Sequence, residues 1–195
     1  MITNQDRSGW FGASDISYIM GNFETATFKK WWLEKLDLNK NSFTNKVMRT
    51  GTNFEHKILD QFPEIEMDKQ ILIPELHLRV NYDGTYPDEI IEVKTYNYEK
   101  SFKVSKAYKE QVQVEMFAAK IYKAQIAAYG LTEGDYANYF AEIEPERLSH
   151  HPIEYDLEFI EKWLIRIKYL GECLTAGKMP RMEELNARKD NLPIL

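Results

Sequence analysis

Cysteine is almost missing from this sequence: among 195 residues there is one, Cys173. A single thiol excludes an intrachain disulfide and any zinc or iron–sulfur site built on several cysteines, and Cys173 is expected as a packed residue of a helix. Long apolar runs are missing too. A membrane-spanning helix needs roughly 18 consecutive apolar residues, and the sequence has no such run. The stretch Met1–Asp15 is polar and lacks the apolar core of a secretion signal, which together with the lone cysteine points to the cytoplasm. No internal repeat, low-complexity tract or long linker interrupts the chain, so one domain over residues 1–195 is expected. Nor is there an excess of basic residues. The net charge is −6, which argues against a protein that coats nucleic acid non-specifically but leaves room for a local basic groove.

Hydrophobic residues make up 44% of the chain and charged residues 29%, the balance of a globular domain with a core. A short helix is expected from the N-caps Ser14 or Asp15 through Ile16, Ile19 and Met20 to Gly21. A second is expected over Thr25–Lys35 and a third after Thr50-Gly51-Thr52, with Phe54, Ile58, Leu59 and Phe62 on one face and Pro63 beyond its end. The period then drops to two. Ile71, Ile73, Leu76, Leu78 and Val80 read as strand, Asn81–Asp88 as a turn-rich connection, and Ile90–Tyr96 as strand again. A long helix over Lys106–Ile121, a strand pair at Lys123–Tyr129 and Ala137–Ile143, and a last helix over Leu157–Ala176 complete the reading. This order implies an α+β domain with one mixed sheet.

The chemistry concentrates in Asp83-Gly84 … Glu92-Val93-Lys94. Glu92 and Lys94 are two apart on a strand and so share a face, and Asp83 lies within hairpin reach of Glu92. Two carboxylates and an ammonium converging on one point suit magnesium, which takes hard oxygen ligands and shares phosphate oxygens. The metal can neutralise a phosphate and lower the pKa of a water. Lys94 can position or deprotonate that water or steady developing charge, and the Val93 carbonyl is a candidate third ligand. A Glu-x-Lys tripeptide alone is commonplace on a solvated strand. Three further features strengthen the case. Glu55, in Gly51-Thr52-Asn53-Phe54-Glu55, can add a carboxylate. Gln111-Val112-Gln113 offers a neutral side chain to orient a water or phosphate, with Gln111 and Gln113 about 200° apart on a helix so that only one can face the site. The turn Gly12-Ala13-Ser14-Asp15 with Arg7 nearby is a candidate anion site at a helix start.

These four pieces, in this order over residues 7–117, resemble the lambda-exonuclease-like (YqaJ) branch of the P-D-(D/E)-x-K nuclease superfamily: Arg7…Gly12-Ala13-Ser14-Asp15-Ile16, Met48-Arg49-Thr50-Gly51-Thr52-Asn53-Phe54-Glu55, Asp83-Gly84 with Glu92-Val93-Lys94, and Gln111-Val112-Gln113. The resemblance implies a restriction-endonuclease-like α+β core, a central mixed sheet flanked by helices. It implies a magnesium site, with manganese as a substitute, held by Asp83, Glu92 and the Val93 carbonyl and supported by Glu55. By it, Lys94 and Gln111 activate and orient water, and Arg7 and Ser14 receive a terminal 5′-phosphate. The activity it implies is 5′→3′ digestion of one strand of duplex DNA, leaving a 3′ overhang for an annealing protein, by a ring-shaped homo-oligomer, a trimer, encoded by a phage or prophage in a bacterial host. Lys100, Lys103, Lys106 and Lys109 recur every three residues and, with Gln113, are candidate DNA contacts; a solvated helix face is the alternative. The superfamily's proline is absent before Asp83, where Asn81-Tyr82 stands, and Asp88 and Glu89 are alternative carboxylates. An endonuclease, a RecB-like nuclease of another pathway, and a catalytically silent DNA-end-binding module remain open alternatives. Trp31, Trp32 and Trp163 are assigned to packing, and His150-His151 beside Pro152 to a loop without the ligand spacing of a zinc site.

Overall fold

The computed structural model describes residues 7–39 and 46–189, with side chains described from residue 50 in the second segment. The side chains of Met48 and Arg49, part of the second motif, therefore lie outside what is described. The chain divides into two compact units: residues 42–71 with 81–155, and residues 2–41 with 72–80 and 156–195.

The first unit holds most of a five-stranded sheet of order β1-β2-β3-β4-β5, with β1 (Glu66–Ile73), β2 (Leu78–Thr85), β3 (Ile90–Asn97), β4 (Lys123–Leu131) and β5 (Leu148–Glu154). β2 runs antiparallel to β3, β3 parallel to β4, and β4 antiparallel to β5. A parallel pair needs a crossover, and this one is made by α4 (Lys106–Ala119), whose start is capped by the Ser105 hydroxyl accepting from the Tyr108 N–H at 3.2 Å. α3 (Lys46–Leu59) packs Phe54, Ile58 and Leu59 with Ile91, Val93, Ala127, Tyr129 and Leu131 of the sheet. The mixed α+β architecture expected from the sequence is the one observed.

Several local expectations are corrected. Helix α3 begins at Lys46, a turn before Thr50-Gly51-Thr52. Gly51 lies within the helix and not at its border, and a Cβ there would stand 3.1 Å from Thr95 Oγ1, a tight contact. The alternating run Ile71–Val80 is two strands, broken by a 3₁₀ turn at Pro74–Leu76 and by His77 in the left-handed region at φ 50°. Pro74 has no N–H to continue a ladder. β2 then runs through Asn81–Thr85, so the turn is shorter than expected, closed by Tyr86 N–H donating to the Glu89 carbonyl at 2.8 Å. Finally, Ala137–Ile143 is not a strand. Thr132 and Asp135 form a capping box that starts α5 (Glu133–Ala137), and Lys57 Nζ takes the carbonyls of Tyr139 and Ala141 at 2.5 and 2.9 Å. The partner of β4 is β5 instead, which places His150 and His151 on a strand and not in a loop.

The second unit packs α1 (Ile16–Ile19), α2 (Ala26–Lys35), α6 (Leu157–Thr175) and α7 (Met182–Lys189) around aromatic side chains. Phe11, Phe23, Phe28, Trp31, Trp32, Trp163 and Tyr169 are all buried, as is Cys173 on α6. Asp15 accepts from Trp31 Nε1 at 2.9 Å and from Lys35 Nζ at 2.7 Å, so its charge is fully used inside the core. Among the described residues no helix is long and apolar enough to cross a membrane.

The buried Arg147–Asp135 pair secures α5 and the start of β5. Arg147 Nη1 donates to Asp135 Oδ2 at 2.5 Å and to the Gly130 carbonyl at 3.1 Å. Burial pushes the Asp135 pKa up, but Arg147 and the Thr132 N–H and hydroxyl outweigh it and hold the carboxyl below its usual range. Asp135→Ala should therefore cost about 3–5 kcal/mol, read as a lower urea midpoint. Because the folded pKa is depressed, the contribution of Asp135 is complete above the ordinary carboxylate range and is lost as pH falls through the lowered value. Equal wild-type and variant midpoints at neutral pH would refute the assignment.

Candidate active site

Strand β3 alternates faces. Ile91 and Val93 enter the apolar cluster under α3, so Glu92 and Lys94 point to the other face, toward α4. There Lys94 Nζ donates to Glu92 Oε1 at 2.5 Å and to Gln111 Oε1 at 3.3 Å. Gln111 Nε2 in turn donates to Glu92 Oε1 at 2.6 Å and to Glu115 Oε1 at 2.9 Å. The Lys94 ammonium also sits 5.1 Å from the centre of the Tyr108 ring. From β2, Asp83 accepts the Val93 N–H through Oδ2 at 2.8 Å. Asp83 is one residue from Gly84 on β2, and Val93 is two residues from Ile91, the register partner of Gly84, on β3. Gly84 brings β2 close to neighbouring apolar side chains: a Cβ would lie 2.4 Å from Ile65 Cδ1 and 2.8 Å from Leu59 Cδ2, so these side chains would have to shift.

The electrostatics are those of crowded carboxyl groups. Burial first, then the charge of Glu92 and Glu55, pushes Asp83 well above the usual carboxylate range. Burial and Glu92 do the same to Glu115. Glu55, on α3, is raised by burial and by Glu92, with Asp68 adding a smaller push. Burial would lower the Lys94 pKa, but Glu92, Asp83 and Glu115 outweigh it and hold the ammonium charged. Such a set is short of positive charge. Its all-oxygen donors, Asp83 and Glu92 with Glu55 beside them, fit a hard divalent cation such as magnesium. Glu55 is also grouped with His56 and Asp68, one ligand atom of each lying within 4.8 Å of the others; His56 Nε2 and Asp68 Oδ2 are 3.2 Å apart.

Of the residues singled out in the sequence, Asp83, Glu92, Lys94 and Gln111 come together, and the charge of Glu55 is felt there. Gln113 does not join them. It is 4% exposed, and its Nε2 donates to the Glu154 carbonyl at 2.7 Å, the opposite-face outcome that helical geometry requires. Glu89 is engaged elsewhere, with Lys123 and Gln125 at 3.2 and 3.3 Å, and Asp88 is exposed in the turn. The four lysines are exposed but do not form one helical stripe: Lys100 and Lys103 precede α4, while Lys106 and Lys109 lie on it. Arg7 and Ser14 are exposed in the second unit. The Gly12 N–H beside them donates to Asp15 Oδ2 at 2.8 Å, which removes one donor from the expected anion site. Glu115 and Tyr108 were not singled out. The signal was available, since Tyr108, Gln111 and Glu115 stand three and four residues apart and so lie on one face of α4.

Comparisons with known proteins bear on the family and the fold. Residues 4–130 match the family model of the YqaJ-like viral recombinase domain. The structure is similar to an alkaline exonuclease, LHK-Exo, from Laribacter hongkongensis, at 17% identity and a TM-score of 0.67 over 96% of each chain. It is similar to the same enzyme in complex with dAMP, at 18% identity and a TM-score of 0.68 over 96% of each chain. A phage-related exonuclease from Haemophilus somnus 129PT matches at 17% identity and a TM-score of 0.64, over 87% of this chain and 96% of that one. No curated protein sequence matches the chain. With a family model covering well over half its length and this shared fold, the chain belongs to the YqaJ-like viral recombinase domain family.

Proposed function

We propose that this protein is a magnesium-dependent exonuclease that digests double-stranded DNA 5′→3′ and leaves 3′ single-stranded overhangs for an annealing protein in phage or prophage recombination. The observation that carries the reading is the hydrogen-bonded cluster of Glu92, Lys94 and Gln111, with Asp83 on the main chain of Val93 and within electrostatic reach of Glu92 and Lys94. In this reading the protein works in the cytoplasm of a bacterial host, as a ring-shaped homotrimer, and residues 1–195 act as one nuclease domain.

Asp83 and Glu92 would hold the cation, with Glu55 and the Val93 carbonyl supporting it. When bound, the cation supplies neutralisation of the phosphate charge and a more acidic water; manganese can substitute. Without metal the flanking carboxylates hold Lys94 as a charged ammonium; in the working site it positions or deprotonates the attacking water, or steadies charge developing on the phosphate oxygens. Gln111 directs that water without adding charge, its amide bonded to Glu92 and Lys94. Lys103, Lys106 and their neighbours contact the DNA backbone, and binding weakens with salt accordingly. Arg7 and Ser14 recognise the terminal 5′-phosphate.

Three outcomes test this reading. Asp83 and Glu115 have raised pKa values in the folded state, so the fold binds more protons there than the unfolded chain does. Without metal, stability should fall as pH rises from the ordinary carboxylate range through the raised values. Magnesium at tenfold its Kd should restore about 1.4 kcal/mol at neutral pH, seen as a higher Tm. Asp83→Asn should raise the metal-free Tm and abolish the magnesium response; a wild-type Tm indifferent to magnesium would remove the metal site.

Glu92→Ala should abolish cleavage. Lys94→Ala should keep the calorimetric magnesium titration nearly intact while lowering the rate on the order of 10²-fold or more. Normal turnover by either variant would return both residues to an ordinary buried ion pair.

The polarity has its own test. A charge-assisted contact from Arg7 to a terminal phosphate is worth roughly 1.5–3 kcal/mol, about 10- to 150-fold. Duplex carrying a 5′-phosphate should be digested faster than 5′-hydroxyl duplex by that order, and Arg7→Ala should erase most of the preference while retaining metal-dependent cleavage. Equal attack on closed circular duplex would replace the exonuclease with an endonuclease.

A further inference from the structure

Glu115 is a buried carboxyl to which the chemistry above gives no task. It is 1% exposed, in a buried α4 segment with Val112, Gln113, Val114 and Met116. Its Oε2 has no hydrogen-bond partner among the described residues. A carboxyl buried with one oxygen unsatisfied costs stability, where an apolar side chain of similar size would not. What Glu115 does make is one bond, from Gln111 Nε2 to Oε1 at 2.9 Å.

That bond completes a lock. A primary amide has two N–H donors and one oxygen. Both Gln111 donors are committed to carboxyl oxygens, one on Glu92 and one on Glu115. Turning the amide by half a revolution would set its oxygen against those two oxygens and its nitrogen against the Lys94 ammonium. With Glu92 alone, one donor would be free and the amide could swing. The backbone at Glu115 is itself held, because the Tyr82 hydroxyl donates to its carbonyl at 2.9 Å. We propose that Glu115 is a positioning residue that locks the Gln111 amide with its oxygen toward Lys94, so that this uncharged amide presents a fixed dipole to the incoming phosphate and water. This rests on the nuclease reading of the same site. Burial and the charge of Glu92 favour the neutral carboxyl, so a glutamine at this position keeps the acceptor that Gln111 uses.

The full chain is compared as wild type, Glu115→Gln and Glu115→Leu, with thermal melts confirming that each folds. The first readout is the ¹⁵N spectrum of the Gln111 side-chain amide, identified by its loss in Gln111→Leu. Both amide hydrogens should exchange slowly in wild type and in Glu115→Gln, and one should become fast in Glu115→Leu. The second is cleavage of linear duplex with magnesium. Glu115→Leu should lower kcat about 10- to 100-fold, the usual effect of losing a group that orients a site residue, with KM little changed, and Glu115→Gln should recover most of the rate. An unchanged Gln111 amide in Glu115→Leu overturns the proposal. So does wild-type kcat in that variant, or a Glu115→Gln enzyme as impaired as Glu115→Leu, which would make the charge and not the acceptor the important feature. A wild type that never cleaves DNA with magnesium refutes the nuclease reading, and the amide spectrum still decides whether Glu115 holds Gln111.

Discussion

Strand β3 is covered on both faces, and its period-two alternation sends apolar and charged residues to different neighbours. Ile91 and Val93 go into the cluster beneath α3, while Glu92 and Lys94 meet Gln111 on α4. A slip of one residue would exchange the two sets and bury the charges in the apolar cluster. The register is secured by the parallel pairing of Ile90–Asn97 with Ala124–Leu131 along the whole of β3. That pairing is also why α4 lies where it does. Parallel neighbours must be joined by a crossover on one face, and the crossover helix carries the residues that the polar face of β3 requires.

The direction of the carboxyl pKa shifts separates two kinds of buried acid in this chain. Asp135 is held below its ordinary range because Arg147 and Thr132 satisfy it. Asp83 and Glu115 are pushed above theirs because burial and neighbouring carboxylates disfavour their charge and one ammonium is too little to compensate. The first arrangement stabilises a fold. The second costs stability and leaves a concentration of negative potential, which is what a site needs if it is to draw in a divalent cation. Asp15 is satisfied by hydrogen bonds from Trp31 and Lys35 within the second unit.

Burial also explains why some polar residues are bystanders. Gln113 is two residues from Gln111, yet it serves the end of β5 through the Glu154 carbonyl. Glu89 is three residues from Glu92, yet it stands with Lys123 and Gln125. Short separation in sequence places them near the cluster, but the helix and strand periods turn their side chains elsewhere.

Much of this was legible in the chain because it depends on local periodicity. The strand at Ile90–Tyr96, the helices over Thr25–Lys35, Lys106–Ile121 and Leu157–Ala176, and the shared face of Glu92 and Lys94 follow from spacings of two and 3.6, which short-range sterics enforce. Where local signals misled, a distant contact had overruled them. Gly51 read as a helix border, but it lies inside α3, where Thr95 of the sheet comes close. Ala137–Ile143 read as strand, but the carbonyls of Tyr139 and Ala141 are taken by Lys57, some eighty residues earlier in the chain. Glu115 was visible as a residue on the Gln111 face, but its importance was not. Whether a carboxyl lies in water or is buried beside another carboxyl is a property of packing, and no spacing along the chain encodes it. The sequence by itself determined which residue types share which face of β3 and α4, because those are repeats of the backbone. Only the tertiary structure decided which carboxyls share a low-dielectric space with Lys94, because that depends on which elements close over them.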